Sequence, residues 1–91
     1  MTSLRVIVRG DVQGVGYRWF TRRAAADAGV SGWVRNRRDG TVEADLHGTD
    51  AAVQSVLASM AQGPAGARVD EVTRLDTAET AAIGFEILGN A

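Results

Sequence analysis

The chain has no cysteine, which excludes disulfide frameworks, zinc–thiolate sites and thiol nucleophiles. It also has no apolar run near the roughly 20 residues that a membrane-spanning helix requires. The opening Met1-Thr2-Ser3-Leu4-Arg5-Val6 is charged by its fifth residue and shows neither a secretion signal nor an Arg-rich, acid-poor transit pattern. Together these features make the cytosol the expected location. Neither sign of charge dominates: ten basic and eleven acidic residues leave a formal net charge of -1, which disfavours broad electrostatic capture of nucleic acid. Aromatic residues are few, at 5%, so Trp19 and Trp33 are expected to serve the core or the sheet surface rather than to stack on a ligand.

What is present suffices for one domain with one core. A chain of 91 residues buries roughly 60 to 65 per cent of the surface its unfolded form exposes, and a single domain over 1–91 is expected. The charge is unevenly placed. Arg18, Arg22, Arg23, Arg35, Arg37 and Arg38 lie in the first 38 residues, whereas nine of the eleven acids follow them. An anionic ligand therefore belongs to the first half.

Leu4, Val6 and Val8 alternate with Arg5, Ile7 and Arg9 in the period of a strand that Gly10 should end. Tyr17, Phe20, Ala24 and Ala28 then recur at helical spacing before Gly29, a natural C-terminal cap. Ser31 to Arg37 and Thr41 to His47 read as strands joined antiparallel through Arg38-Asp39-Gly40. Val53, Val56, Leu57 and Met60 mark a second helix with Thr49 or Asp50 as N-cap, broken by Gly63-Pro64-Ala65-Gly66. Val69, Val72 and Leu75 suggest a fourth strand with imperfect alternation, and Phe85 to Leu88 a short fifth. The segment from Thr77 to Gly84 has no clear pattern. The order β-α-β-β-α-β predicts an α+β, ferredoxin-like sandwich, with an antiparallel sheet of four or five strands and two helices on one face.

Gly10-Asp11-Val12-Gln13-Gly14-Val15-Gly16-Tyr17-Arg18 leads from the first strand straight into the first helix. Closely spaced glycines let the backbone reach positive φ, and successive amides with a helix N-terminus offer partial positive charge to an anion. Phosphate is the natural guest, although a tight turn is the plainer reading of a Gly-x-Gly pair alone. The Walker A pattern fails because Val15 stands where it needs Gly, and the dinucleotide pattern fails at Trp19.

Taken with Gly32-Trp33-Val34-Arg35-Asn36, Asp39-Gly40-x-Val42-Glu43 and Gly48, this loop resembles the acylphosphatase family over nearly the whole chain. The resemblance implies an acylphosphatase-like domain that hydrolyses the carboxyl–phosphate bond of acyl phosphates as a monomer. It further implies a small-molecule substrate, no cofactor and no metal. Residues 13–18 (Gln13, Gly14, Val15, Gly16, Tyr17 and Arg18) would form the phosphate loop, with Gln13, Val15 and Tyr17 acting through backbone amides. Arg18 would hold the phosphate and Asn36 would place the attacking water. The ending Leu88-Gly89-Asn90-Ala91 departs from the aromatic or basic residue that often closes the family's last strand.

Chemistry supports the two assignments. An acyl phosphate releases a carboxylate of low proton affinity, so little acid catalysis is needed, and no acid other than Asp11 lies in the two motifs. Arg is permanently charged and can give phosphate two parallel hydrogen bonds. Asn can orient a water but cannot take its proton, and the resemblance implies that a phosphate oxygen of the substrate accepts it.

Glu43, Asp45 and His47 would share one face of a strand. That trio could ligate a divalent ion, but a solvated face opposite apolar Val42, Ala44 and Leu46 is expected instead. Arg35, Arg37 and Arg38 could steer an anion or simply face solvent. Two other functions compete. An RNA-binding sheet lacks its RNP1 pattern here, and a phosphate or carbamoyl phosphate sensor would bind without turnover.

Overall fold

The computed structural model describes residues 1–76 and 84–89. Its elements run β1 (Thr2–Asp11), α1 (Tyr17–Ala28), β2 (Ser31–Asn36), β3 (Val42–Gly48), α2 (Asp50–Gln62), β4 (Arg68–Asp76) and β5 (Phe85–Ile87). They build one sheet in the order β4-β1-β3-β2-β5, with the α+β, ferredoxin-like organisation expected. The first four strands pair antiparallel, but β5 lies parallel to β2, so the sheet is mixed rather than antiparallel. The reason is topological. β1 and β2 share one direction, β3 and β4 run the other way, and a chain that turns back after β4 regains the direction of β2. Most of the patternless stretch from Thr77 to Gly84 lies outside the described residues, as do the last two positions of the atypical ending.

Each helix begins and ends where its sequence changes character. Thr49 caps α2, accepting the Ala52 amide at 3.2 Å, and Asp50 adds an acid to its first turn. α1 ends at Gly29, whose amide turns back to Ala25 and Ala26. The buried stripe of α1 is Tyr17, Thr21 and Ala25, one residue round from the expected one, while Phe20, Ala24 and Ala28 are half-buried. Tyr17 binds the helices together because its hydroxyl donates to the Met60 carbonyl at 2.7 Å, and burial pushes that hydroxyl's pKa well up.

The core lies between helices and sheet, where Val6, Val8, Val34, Val42, Ala44 and Leu46 meet Val53, Val56, Leu57 and Met60. Strand β1 runs one residue beyond Gly10 because a bulge absorbs the glycine. Arg9 pairs with Glu71 and Gly10 with Val69, which leaves Asp70 extra on β4. That extra residue explains the imperfect alternation, since it lets Val69 and Val72 both pack on the core. The crossing is tight: a Cβ at Gly10 would sit 2.0 Å from the Arg68 carbonyl oxygen.

The helix-free face corrects one expectation. Glu43, Asp45 and His47 are only 7%, 1% and 2% exposed, not solvated. Arg5 covers them, its Nε donating to Asp45 at 3.1 Å and its Nη1 to Glu43 at 3.2 Å. Arg35 Nε donates to Glu43 at 2.8 Å from the neighbouring strand. The Trp33 ring lies between the two guanidinium groups, 4.9 and 5.0 Å from them, a cation–π arrangement that shields the pairs from water. His47 hydrogen-bonds through both ring nitrogens, Nε2 to the Asp45 carboxylate at 2.6 Å and Nδ1 to Ser3 Oγ at 2.9 Å. The trio is thus satisfied by the sheet itself.

Candidate functional site

The two motifs meet at one end of the sheet. β1 and β2 both run antiparallel to β3, so the loop after β1 and the last residue of β2 emerge at the same end. Residues 12–16 form that loop, with Gly14 and Gly16 both at φ 76° and no atom within 4 Å of where a Cβ on either would stand. These two positive φ values turn the chain sharply into α1, a path β-branched or bulky residues resist.

The start of α1 differs from that of α2 in every respect that matters to an anion. Its N-cap is Gly16, no side chain caps it, and its first turn contains no acid. Helix geometry leaves its first amides without intrahelical partners. Among the described residues, the amides of Gln13, Gly14, Val15 and Gly16 also lack a hydrogen-bond acceptor. The amides and the helix end therefore place partial positive charge at this end of the sheet. Arg18 sits half-buried in the first turn, with no ion pair among the described residues.

Asn36 reaches the same end from β2. It follows Gly32 and Val34 on the helix-facing side and is 8% exposed. Its Oδ1 is buried without a hydrogen-bond partner, a costly state for an amide oxygen and an unusual one in a native fold.

Gln13 joins these parts in a way the sequence does not reveal. Its side-chain Nε2 donates to the carbonyls of Arg37 at 2.7 Å and Thr41 at 3.0 Å. Both lie in the turn directly after Asn36, so the side chain, not only the amide, clamps the loop to the Asn36 strand. That turn is braced by Asp39, which accepts the Thr41 amide at 3.0 Å and its hydroxyl at 2.6 Å. These bonds hold the exposed Asp39 carboxyl below the usual carboxylate pKa. Tyr17 also uses its side chain, but in the core rather than at the site.

All ten basic residues are arginine, and their partners divide them. Arg5, Arg9, Arg35 and Arg68 form ion pairs and Arg74 stands exposed on β4 without one among the described residues, whereas among the described residues Arg18, Arg22, Arg23, Arg37 and Arg38 likewise have no carboxylate partner. The first three belong to α1 and the last two to the turn after Asn36. Arg35, a candidate for steering, is instead neutralised by Glu43. Trp19 overturns its packing expectation: it is 65% exposed, outside the buried stripe of Tyr17, Thr21 and Ala25. Among the described residues no group of three or more His, Asp or Glu is placed to hold a metal ion.

An arrangement of converging amides, an unpaired guanidinium and an orphaned amide oxygen suits an oxyanion with a nucleophilic water beside it. Comparison with known proteins places the chain in a family. A family model described as Acylphosphatase matches residues 4–87. An acylphosphatase from Mesorhizobium japonicum is 58% identical over 70 residues, which is 77% of this chain and 74% of that one. Another from Rhizobium etli is 43% identical over 88 residues, 96% of this chain and 94% of that one. The crystal structure of acylphosphatase from Bacillus subtilis superimposes with a TM-score of 0.92 at 34% identity, covering 97% of this chain and 99% of that one.

Proposed function

The chain belongs to the acylphosphatase family and is an enzyme that hydrolyses acyl phosphates, and we propose that it does so with Arg18 and the amides of residues 13–18 holding the phosphate while Asn36 positions the water. The observation that carries this division of roles is that Asn36, whose Oδ1 has no hydrogen-bond partner, ends β2 at the same end of the sheet as the uncapped start of α1. A water donating one hydrogen to that oxygen keeps a lone pair free for phosphorus.

The reaction follows from the charges. Water oxygen forms a bond to phosphorus as the bond from phosphorus to the acyl oxygen breaks, and the electron pair leaves on the carboxylate. Charge in the transition state spreads over the equatorial phosphate oxygens. Preorganised amides and the Arg18 guanidinium stabilise those oxygens with no reorganisation at the moment of reaction. The water's proton passes to a phosphate oxygen of the substrate, giving inorganic phosphate. Gln13 is a positioning residue, because its two bonds set the loop at a fixed distance from Asn36.

The same reading takes the chain as one acylphosphatase-like domain, monomeric and cytosolic, that works without a metal. Arg18 and the amides supply the positive charge that a metal would otherwise provide. The test is hydrolysis of benzoyl phosphate in EDTA by the natural chain and by Arg18→Ala and Asn36→Ala variants shown to be folded. Turnover by the natural chain, with substrate binding lost chiefly in Arg18→Ala and kcat lost chiefly in Asn36→Ala, is expected. A metal requirement, or full activity in Asn36→Ala, would refute the mechanism.

A further inference from the structure

Trp19 and Arg22 follow Arg18 along α1. They form one wall of an open groove of about 610 Å³ between α1 and the β2–β5 edge, whose other side includes Phe85. A second hollow continues it past Glu86 and Ile87 and shares Trp19, Arg22 and Phe85. Arg22 is held in place rather than free to wander. Its guanidinium stands 5.5 Å from the Trp19 ring centre, and its Nε donates to the Phe85 carbonyl at 3.4 Å. That bond uses only Nε, and among the described residues no acceptor engages the two Nη groups.

Arg22 follows Arg18 by four residues on α1. Side chains so spaced stand one above the other, with Cβ atoms about 6 Å apart. A phosphate held by Arg18 therefore has a second, unpaired guanidinium one turn along the same stripe, at the mouth of a groove with apolar and aromatic walls.

We infer that this groove is the acyl-group subsite, and that it selects acyl phosphates whose acyl part ends in a second anion, such as the mono-phosphate of a short dicarboxylic acid. Trp19, Phe85 and Ile87 cover the methylenes, and Arg22 receives the distal carboxylate in a charge-assisted pair. The inference rests on the proposed phosphate site, because the distance that matters is measured from Arg18.

The experiment compares kcat/KM for succinyl phosphate and for acetyl phosphate, which has no second anion. It uses the natural chain, Arg22→Gln, and Arg74→Gln on β4 at the far edge of the sheet, which removes the same charge away from the groove. The ratio of succinyl to acetyl activity is expected to fall about tenfold in Arg22→Gln, the scale of one lost charge-assisted bond, and to hold in Arg74→Gln. An unchanged ratio in Arg22→Gln, or equal falls in both variants, overturns the subsite while leaving the phosphate site standing. A natural chain inert on both substrates defeats the reading beneath it, and the subsite with it.

Discussion

Replacing Gln13 by Met keeps the length of the side chain and removes both hydrogen bonds that clamp the proposed phosphate loop to the turn after Asn36. The cost can be worked from the partners. Arg37 O also accepts the Gly40 amide at 3.2 Å, and Thr41 O also accepts the Arg37 amide at 2.8 Å. Neither carbonyl is therefore orphaned, and the loss is two net bonds at about 1 kcal/mol each. For a domain of this size, a loss of about 2 kcal/mol lowers Tm by roughly 8 to 16 °C, still compatible with a folded enzyme at room temperature. Activity should fall further than stability suggests, since misplacing a catalytic group by about 1 Å costs on the order of a hundredfold. We expect kcat on benzoyl phosphate to drop between tenfold and a hundredfold, with KM changing less because Arg18 and its amides stay on the loop. Gln13→Glu should be worse on both counts, as it sets a carboxylate against two carbonyl oxygens. Urea denaturation and steady-state kinetics on the same preparations check both. A Gln13→Met variant destabilised as stated but with unchanged kcat would refute the positioning role and leave Gln13 a purely structural clamp.

Arg18→Lys keeps the charge but loses the planar pair of donors, so kcat/KM should stay at least about a hundredfold below the natural chain, comparable to loss of an oxyanion donor; near-complete recovery would exclude two-point holding. Glu43→Gln removes the carboxylate shared by Arg5 and Arg35 and should destabilise by about 2 to 4 kcal/mol in urea titrations, since it leaves two partly buried cations short of counter-charge, while the folded fraction keeps its kcat. Asp39→Asn tests linkage. Because the Asp39 pKa is lowered in the fold, its contribution is present above the unfolded carboxylate pKa and fades as pH falls through the folded one. The stability gap between natural chain and variant should therefore shrink on acidification, and a gap constant with pH would refute that. Gly10→Ala would drive a methyl into the Arg68 carbonyl at φ 135°, so a soluble variant of natural Tm would contradict the tight β1–β4 crossing.

The element order is legible in the sequence because each signal is local: alternation, helical spacing, a glycine or a threonine at a boundary. Arg18 and Asn36 are singled out for a different reason, as parts of a recognisable motif pair, and their proposed roles await the variants above. What the sequence hides needs a partner from elsewhere in the chain. Period-2 alternation separates two faces of β3 but says nothing of what covers each, so Glu43, Asp45 and His47 read as solvated until Arg5, forty residues before Asp45, is laid over them. A signal does exist for half of that network. A hairpin centred on Asp39 sets Arg35 opposite Glu43, and opposite charges at facing positions attract. Trp19 misleads because composition suggests that scarce aromatics are buried, whereas its place on α1 decides. Gln13 escapes notice because a side chain that bonds two carbonyls leaves no sequence pattern.

The two halves of the fold show how a site of this kind arises from a common plan. Each half carries a strand into a helix whose first amides need an acceptor. In the second half Thr49 supplies one and Asp50 adds a negative charge, so the helix start is closed by its own chain. In the first half Gly16 stands at the cap and no acid follows, so no side chain meets the same need, and the proposed phosphate would. Capping residues contribute about 1 kcal/mol each, and α1 forgoes that stability. Tyr17 offsets it from the next position, fastening the uncapped turn to α2 through Met60. A Gly16→Ser variant should show the trade: serine favours the extended backbone of Thr49 over φ 76°, and once there its hydroxyl caps α1, but only by taking an amide from the phosphate. Inhibition by inorganic phosphate measures this directly. Weaker phosphate inhibition, with a higher KM for acyl phosphate in a variant that remains folded, is the expected result. Unchanged phosphate affinity in a variant whose helix start is demonstrably capped would mean that the anion does not bind there.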